Sequence, residues 1–295
     1  MQRALQEGHD RPGQRCGRIS VKALCDVLVA SRSSAYRESR SRPRFYRRQE
    51  DTVVLEQIQQ VVRDRASYGH RRVTALVNHD FETGYNKKRI RRVMKMHNLQ
   101  LPTKNRRRGG RPHLGRIMRD SSNERWCSDA LEIRCWNGDL VQIAFALDCH
   151  DREALSYVAV ARDLLSADIG QLMRQAVCYR HQEREPGVPI EWLSDNGGIY
   201  TAMGTVIMAQ QLGLKPITTP AYSPQSNGMS EAFVNTLKRD YVGCAMLWDA
   251  HTVLQLVPGW FEDYNQRAPH SALGMLSPRQ YREKYQQNEG LAKSL

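Results

Sequence analysis

Apolar residues recur along the chain with two different periods. Up to residue 97 the spacing is helical, and from residue 122 onward short apolar runs alternate with helical stretches. Leu24, Val27 and Leu28 predict two short helices between Ile19 and Arg37, with Ser31 placed to cap the second. Val54, Leu55, Ile58, Val61 and Val62 mark an amphipathic helix from Asp51 to Val62. A turn at Gly69 leads into a second helix ending near Val77, and Asn86 to His97 forms a third with an apolar stripe of Ile90, Val93 and Met94. Residues 102–118 hold Arg106, Arg107 and Arg108, glycines and prolines but no apolar period, and read as a basic linker.

Beyond the linker, strands are predicted at Trp126–Cys135, Leu140–Asp148 and Leu155–Val160, with Asn137 and Gly138 as a hairpin turn. Ser166 is expected to cap a helix running to about His181. Then follow strand Ile190–Leu193, a helix from about Tyr200 to Leu212, strand Leu214–Thr218, a loop over Thr219–Gly228 and a helix over Met229–Asp240. A run from Pro258 to Asn265 and a last helix over Leu276–Tyr285 close the pattern. This order predicts an α/β fold with a five-stranded mixed sheet flanked by helices, behind an N-terminal all-helical region. The expected organisation is a disordered tail (1–18), a helical pair with basic linker (19–48), a helical domain (50–101), the linker (102–118), the α/β core with its C-terminal helices (119–285) and a tail (286–295).

Charge narrows the choice of partner. The chain carries 44 Lys and Arg against 31 Asp and Glu, a net +13, which favours a polyanion and, with no apolar run near the ~20 residues of a membrane span, makes that polyanion nucleic acid. Lys87, Lys88, Arg89, Arg91, Arg92 and Lys95 are expected to face outward from the third helix with no acid among them, which fits a DNA-docking helix rather than a merely solvated face. The pair within 19–37 reads equally as a helix-turn-helix or as a hairpin that only packs. The seven cysteines are scattered, without a C-x-x-C pair, and read as reduced core residues of a cytoplasmic protein with no zinc site.

Three carboxylates carry the candidate chemistry. Asp195 follows the strand ending at Leu193, Asp129 lies in the first strand, and Glu231 opens a helix after 35 intervening residues. Phosphodiester cleavage needs an activated oxygen nucleophile and a stabilised leaving oxygen, and two Mg²⁺ ions about 3.5–4 Å apart provide both. Mg²⁺ takes hard oxygen ligands, so two or three carboxylates suffice. Spacing alone selects weakly, because Glu132, Asp148 and Asp151 offer competing trios, and an aspartate after a strand is more often a turn residue.

The motifs Trp126-Cys-Ser-Asp129, Leu193-Ser-Asp-Asn-Gly197, Ser223-Pro-Gln-Ser-Asn-Gly-Met-Ser-Glu231 and Tyr264-Asn-Gln-Arg-Ala-Pro-His270 stand in that order, followed by Ser277-Pro278. Over residues 50–285 the chain resembles bacterial insertion-sequence transposases of the DDE, integrase-like type, whose core is similar to retroviral integrases. The resemblance implies an RNase H-like core, with Asp129, Asp195 and Glu231 as catalytic metal ligands for two Mg²⁺ ions, Mn²⁺ being the alternative ion. It also implies Lys238 as a contact to substrate DNA, and Tyr222, Gln225 and Asn227 as DNA contacts on a mobile loop. Lys87, Lys88, Arg89, Arg91 and Arg92 would then belong to a helix-turn-helix module for the terminal inverted repeats. The expected activity is metal-dependent 3′-end nicking at those repeats and strand transfer into target DNA. The expected partners are double-stranded DNA, a homodimer or larger assembly, and an upstream-frame protein or fusion, in the bacterial cytoplasm at the nucleoid. An inactive DNA-binding relic or repressor and a simple RNase H-type nuclease are the rival readings. Two departures stand out: Pro258-Gly259 is expected to kink or divide a helix, and residues 243–250 are irregular.

Overall fold

The computed structural model describes residues 20–35, 48–102, 119–182, 186–219 and 228–293, which fall into two compact units, 1–48 and 49–295. The expected tail 1–18, most of the two basic linkers and the loop residues Tyr222, Gln225 and Asn227 lie outside the described residues. In the first unit, α1 (Val21–Val27) starts at Ser20, whose hydroxyl accepts from Ala23 N at 3.2 Å, and α2 (Arg32–Ala35) follows. These are the two short helices predicted there.

The second unit opens with α3 (Asp51–Asp64), α4 (His70–Asp80) and α5 (Lys87–Met96). Their apolar stripes meet in a core of Val54, Ile58, Val73, Val77, Ile90 and Met94, all almost fully buried. Asn86 caps α5 by accepting from Lys88 N at 2.9 Å. One expectation fails here. Arg89 and Arg92 turn toward Asp51 at the start of α3, with N–O distances of 3.0 and 2.5 Å, so they do not face outward. The acid absent from α5 itself arrives from a helix 38 residues earlier, whose N-terminal dipole it also complements.

The core is a five-stranded sheet in the order β3-β2-β1-β4-β5. Its strands are β1 (Arg125–Arg134), β2 (Leu140–Asp148), β3 (Ala154–Val160), β4 (Ile190–Ser194) and β5 (Leu214–Thr218). The first three pair antiparallel, and β4 and β5 run parallel to β1. This mixed sheet with helices against both faces is the RNase H-like layout expected. Alternation along β1 sorts its side chains between two cores. Trp126 lies in one core with Trp192 and Leu172 of α6 (Ser166–His181), and Cys127 and Leu131 lie in the other with Phe233 and Leu237 of α9 (Gly228–Asp240) and Val257 of α10 (Ala250–Gln266). Burying each such large side chain stabilises the fold by roughly 1.5–3 kcal/mol.

Several local expectations are revised by the packing. Ser166 is the first helical residue of α6 and not its cap; Asp168 accepts the N–H of Leu165 at 2.8 Å instead. The helix expected over Tyr200–Leu212 is broken at Ala202 into α7 (Gly198–Thr201) and α8 (Met203–Gln211). Conversely, α10 runs undivided through Pro258. Pro258 and Gly259 are exposed, while Val253, Val257, Trp260, Phe261 and Tyr264 anchor the opposite face, so packing outweighs the missing backbone donor. The last helix, α11, spans Pro278–Lys293 with proline at its first position. Of the cysteines described, Cys25, Cys127, Cys135 and Cys149 are buried as expected, but Cys178 and Cys244 are exposed. No helix among the described residues is long and apolar enough to cross a membrane.

Candidate active site

Strand register decides which carboxylates can meet. Cys127 pairs with Leu193 across the parallel β1–β4 ladder, so two residues further on Asp129 and Asp195 come to the same level of neighbouring strands. Both share a face with Cys127 and Leu193, whose core also holds Phe233 and Leu237 of α9. That helix is pinned by Phe233, whose ring centroid lies 4.5 Å from Phe145 and 4.7 Å from Tyr264. Its first turn carries Glu231. The three acids are thus brought together by two neighbouring inner strands and one helix.

Electrostatics reports the same proximity. Burial pushes the Asp129 carboxyl up from its ordinary value, and the charges of Asp195 and Glu231 push it further, against a hydrogen bond from Ala130 N at 2.8 Å that favours the charged form. Asp195 and Glu231 are exposed, whereas Asp129 is half-buried. Asn196 and Gly197 shape the turn behind Asp195. Asn196 Nδ2 donates to Thr219 O at 2.9 Å, and Gly197 N donates to Asp195 Oδ1 at 3.0 Å. A β-carbon at position 197 would stand 2.9 Å from that oxygen, so a larger residue there would push the Asp195 carboxylate aside.

The donor set is all oxygen and mutually repulsive, which suits a hard divalent cation. Among the described residues, however, no group of three or more His, Cys, Asp or Glu side chains is arranged closely enough to hold a metal ion. Lys238 is exposed seven residues along α9 from Glu231, two turns away and on the same face.

The competing trios dissolve in the structure. Glu132 is three positions from Asp129 and points to the opposite sheet face. Asp148 pairs with Trp126, three residues, or about 10 Å, along β1 from Asp129. It accepts the N–H groups of Asn123 and His150, each at 2.7 Å. Asp151 accepts both from the Ser122 hydroxyl at 2.8 Å and from the fully buried Arg180 at 2.9 Å. Arg180 also reaches Glu153 at 3.0 Å, and Arg279 and Arg282 close on Glu153 from α11. These acids brace the β2–β3 turn.

Sequence reasoning passed over Tyr200. It lies buried beneath the site, its oxygen 3.2 Å from Ser128 Oγ, and burial with the nearby Asp129 and Asp195 raises its pKa, keeping the phenol protonated. Only its place two residues into the helix after the Asp195 turn could have flagged it.

Two family models described as "Integrase core domain" match residues 119–224 and 212–278, and one described as "HTH-like domain" matches residues 48–107. The chain is 39% identical over 278 residues to the transposase InsD for insertion element IS2D of Escherichia coli strain K12, covering 90% of this chain and 88% of that one. It is 54% identical over 176 residues to the insertion element IS136 uncharacterized protein Atu4601 of Agrobacterium fabrum strain C58, covering 59% of this chain and 90% of that one. Among solved structures, the catalytic core domain of BIV integrase matches with a TM-score of 0.40 at 20% identity, over 57% of this chain and 99% of that one. The HTLV-2 integrase catalytic core domain in complex with magnesium matches with a TM-score of 0.40 at 15% identity, over 54% and 95%. With an HTH-like domain leading into an integrase core, and an insertion-element transposase matched along nearly its whole length, this chain belongs to the insertion-sequence transposases of the InsD type.

Proposed function

We propose that the chain nicks the 3′ ends of its element at the terminal inverted repeats and then joins those ends to target DNA, with Asp129, Asp195 and Glu231 as the catalytic carboxylates. The observation that carries this reading is the register of β1 and β4, which sets Asp129 level with Asp195 while both Asp195 and Glu231 raise the Asp129 pKa. These three residues would hold Mg²⁺, as two ions, with Mn²⁺ as the alternative. When bound, the metal would activate the attacking oxygen and stabilise the leaving one. In the first step water attacks the phosphorus at the element end and the P–O3′ bond breaks. In the second the freed 3′-hydroxyl attacks a target phosphodiester, and a target 3′-oxygen leaves. Neither step needs a covalent intermediate with the protein.

The exposed Lys238, on the Glu231 face of α9, contacts the DNA backbone next to the reacting phosphate. Lys87, Lys88 and Arg91 are exposed on α5 and are the part of the basic helix that reaches the terminal repeat, together with Tyr222, Gln225 and Asn227 of the loop before α9. The protein acts as a dimer or larger assembly in the bacterial cytoplasm, because two element ends must meet, and an upstream-frame protein or fusion joins it there.

The test is a Mg²⁺-dependent assay on a labelled duplex carrying the element's terminal repeat, comparing the intact chain with Glu231→Gln. Nicked and joined products from the intact chain, both lost in the variant, are expected. Cleavage that survives Glu231→Gln would sink the three-carboxylate assignment. Hydrolysis without joining would mark a nuclease, and binding without cleavage a relic or a chain that needs its upstream partner.

A further inference from the structure

Between the HTH-like domain and the core lies a cavity of about 470 Å³ whose charged lining among the described residues is four arginines, Arg71, Arg72, Arg152 and Arg239, with His70 and His270 beside them. Among the described residues no Asp or Glu lines it. Arg72 and Arg239 are neutralised from behind by Asp240, at 2.6 and 2.7 Å. Arg71 and Arg152 have no carboxylate partner among the described residues. Arg152 Nε and His270 Nε2 are buried without any hydrogen-bond partner. A buried polar atom left without a partner costs free energy, and a bound water, ion or ligand that completes it removes that cost.

One wall of the cavity, Gly69 to Arg72, is the start of α4. Gly69 occupies its cap position without a side-chain cap, and the first backbone N–H groups of a helix have no acceptor within it. A helix N-terminus and two unpaired guanidinium groups share one chemical preference, for a phosphate-like anion. Burial first, and then the charges of Arg152 and Arg72, lower the His270 pKa to about 4, so this imidazole is neutral in the cavity. Arg152 is built for the position. It adopts a left-handed backbone, φ 63°, at the β2–β3 turn, whose neighbouring Asp151 and Glu153 are held by the buried Arg180.

We propose that this cavity is a phosphate-binding site that grips the backbone of the duplex at the seam between the HTH-like domain and the core. The ligand class rests on the reading above that the chain acts on DNA. Thr236 and Arg239 of α9 line the site, and Arg239 is eight residues, about 12 Å, along the helix from Glu231. At 3.4 Å of axial rise per nucleotide in each strand, that separation corresponds to three or four nucleotides. One duplex can therefore occupy the seam and the carboxylate site together. The site would set the distance between the recognised repeat and the phosphodiester that is cut.

The test is duplex binding by the full chain, followed by fluorescence anisotropy across a salt series. Arg71→Gln with Arg152→Asn removes the unpaired charges, and asparagine tolerates the left-handed backbone. Ser271→Glu, at an exposed position on the rim, adds a repelling charge without touching the core. Both changes should weaken binding about tenfold at low salt and lower the slope of log K against log salt by about one, the loss of a single phosphate contact. Unchanged affinity and slope in Arg71→Gln and Ser271→Glu overturn the proposal even where Arg152→Asn fails to fold. Stabilisation of the intact chain by inorganic phosphate, lost in the variants while duplex binding stays intact, assigns the cavity to free phosphate and also overturns it. A chain that binds with the cavity-dependent slope but never cleaves keeps this site and marks a relic or a chain that needs its upstream partner. Cleavage with an unchanged slope does the reverse, and an intact chain that binds no duplex removes both.

Discussion

Arg72 of α4 donates to Asp240 at the C-terminal end of α9 across 2.6 Å, so the HTH-like domain is tied to the helix that carries Glu231. Ser67 donates to the same carboxylate at 2.6 Å, and Arg239 closes on it from α9 itself. Arg65 pairs with Asp263 of α10, and Arg267 with Asp80. The helical domain and the core therefore form one compact unit.

Asp240→Asn is predicted to loosen that tie. Burial pushes the Asp240 carboxyl up, but hydrogen bonds from Arg239, Arg72 and Ser67 outweigh it and hold the pKa below its usual 3.8. A depressed carboxyl contributes stability that is present above the unfolded-state pKa and is lost as pH falls through the lower folded-state value. Chemical denaturation should show a loss of about 2–3 kcal/mol at pH 7, because two guanidinium groups lose their shared partner. The variant should also show a flatter acid limb below about pH 4 than the intact chain.

Arg180→Met should be among the most damaging single changes in the core. The guanidinium is fully buried against Asp151 and Glu153, so its removal leaves buried carboxylates short of a partner. A loss of about 3–5 kcal/mol is expected, read as a lower denaturant midpoint. Asp148 should respond too. Burial and the Asp151 charge push its carboxyl up to about 6, and without the nearby Arg180 charge it should rise further. Because a raised carboxyl pKa favours the folded state at low pH, that contribution fades as pH rises through the folded-state value.

Relief of repulsion at the candidate site is a third expectation. Glu231→Gln or Asp195→Asn removes one of the charges that raise the Asp129 pKa, so an NMR titration without metal should show that pKa fall. Stability at neutral pH should increase by a few tenths to about 1 kcal/mol, since like charges no longer face each other. Mn²⁺ should raise the melting temperature of the intact chain by mass action, and Asp129→Asn should abolish the rise. A Mn²⁺ shift of equal size in the Asp129→Asn variant would place the ion elsewhere.

The basic helix should divide by role. Arg89→Gln breaks a partly buried pair with Asp51 and should cost about 1 kcal/mol of stability with little change in the salt dependence of DNA binding. Arg91→Gln, at an exposed position, should do the opposite and lower the salt slope by about one. Equal effects of the two changes on DNA binding would show that the Asp51 pairing opens when DNA arrives.

Much of this protein is local in origin. The switch from helical to alternating apolar spacing placed the helices and strands, since each element's buried face is written at its own period. The carboxylates were legible through ordered motifs, and Asn196 and Gly197 could be read as turn formers because a turn is a property of a few adjacent residues. Side-chain fate was less legible wherever the partner came from far along the chain. Arg89 and Arg92 look free on α5 until α3 brings Asp51 beside them. Asp148 and Asp151 look like candidate ligands until Arg180, about thirty residues later, closes on the turn they brace. Pro258 looks like a helix end until five large side chains on the other face hold α10 together. The cationic seam is not written in any one segment, because its arginines and histidines come from α4, the β2–β3 turn, α9 and the stretch after α10. Backbone preference and apolar period act within a few residues, so the sequence by itself determined the elements and the order of the carboxylates. Charge pairing and cavity formation act through space, so only the tertiary structure decided which charges pair within the fold and which line a cavity.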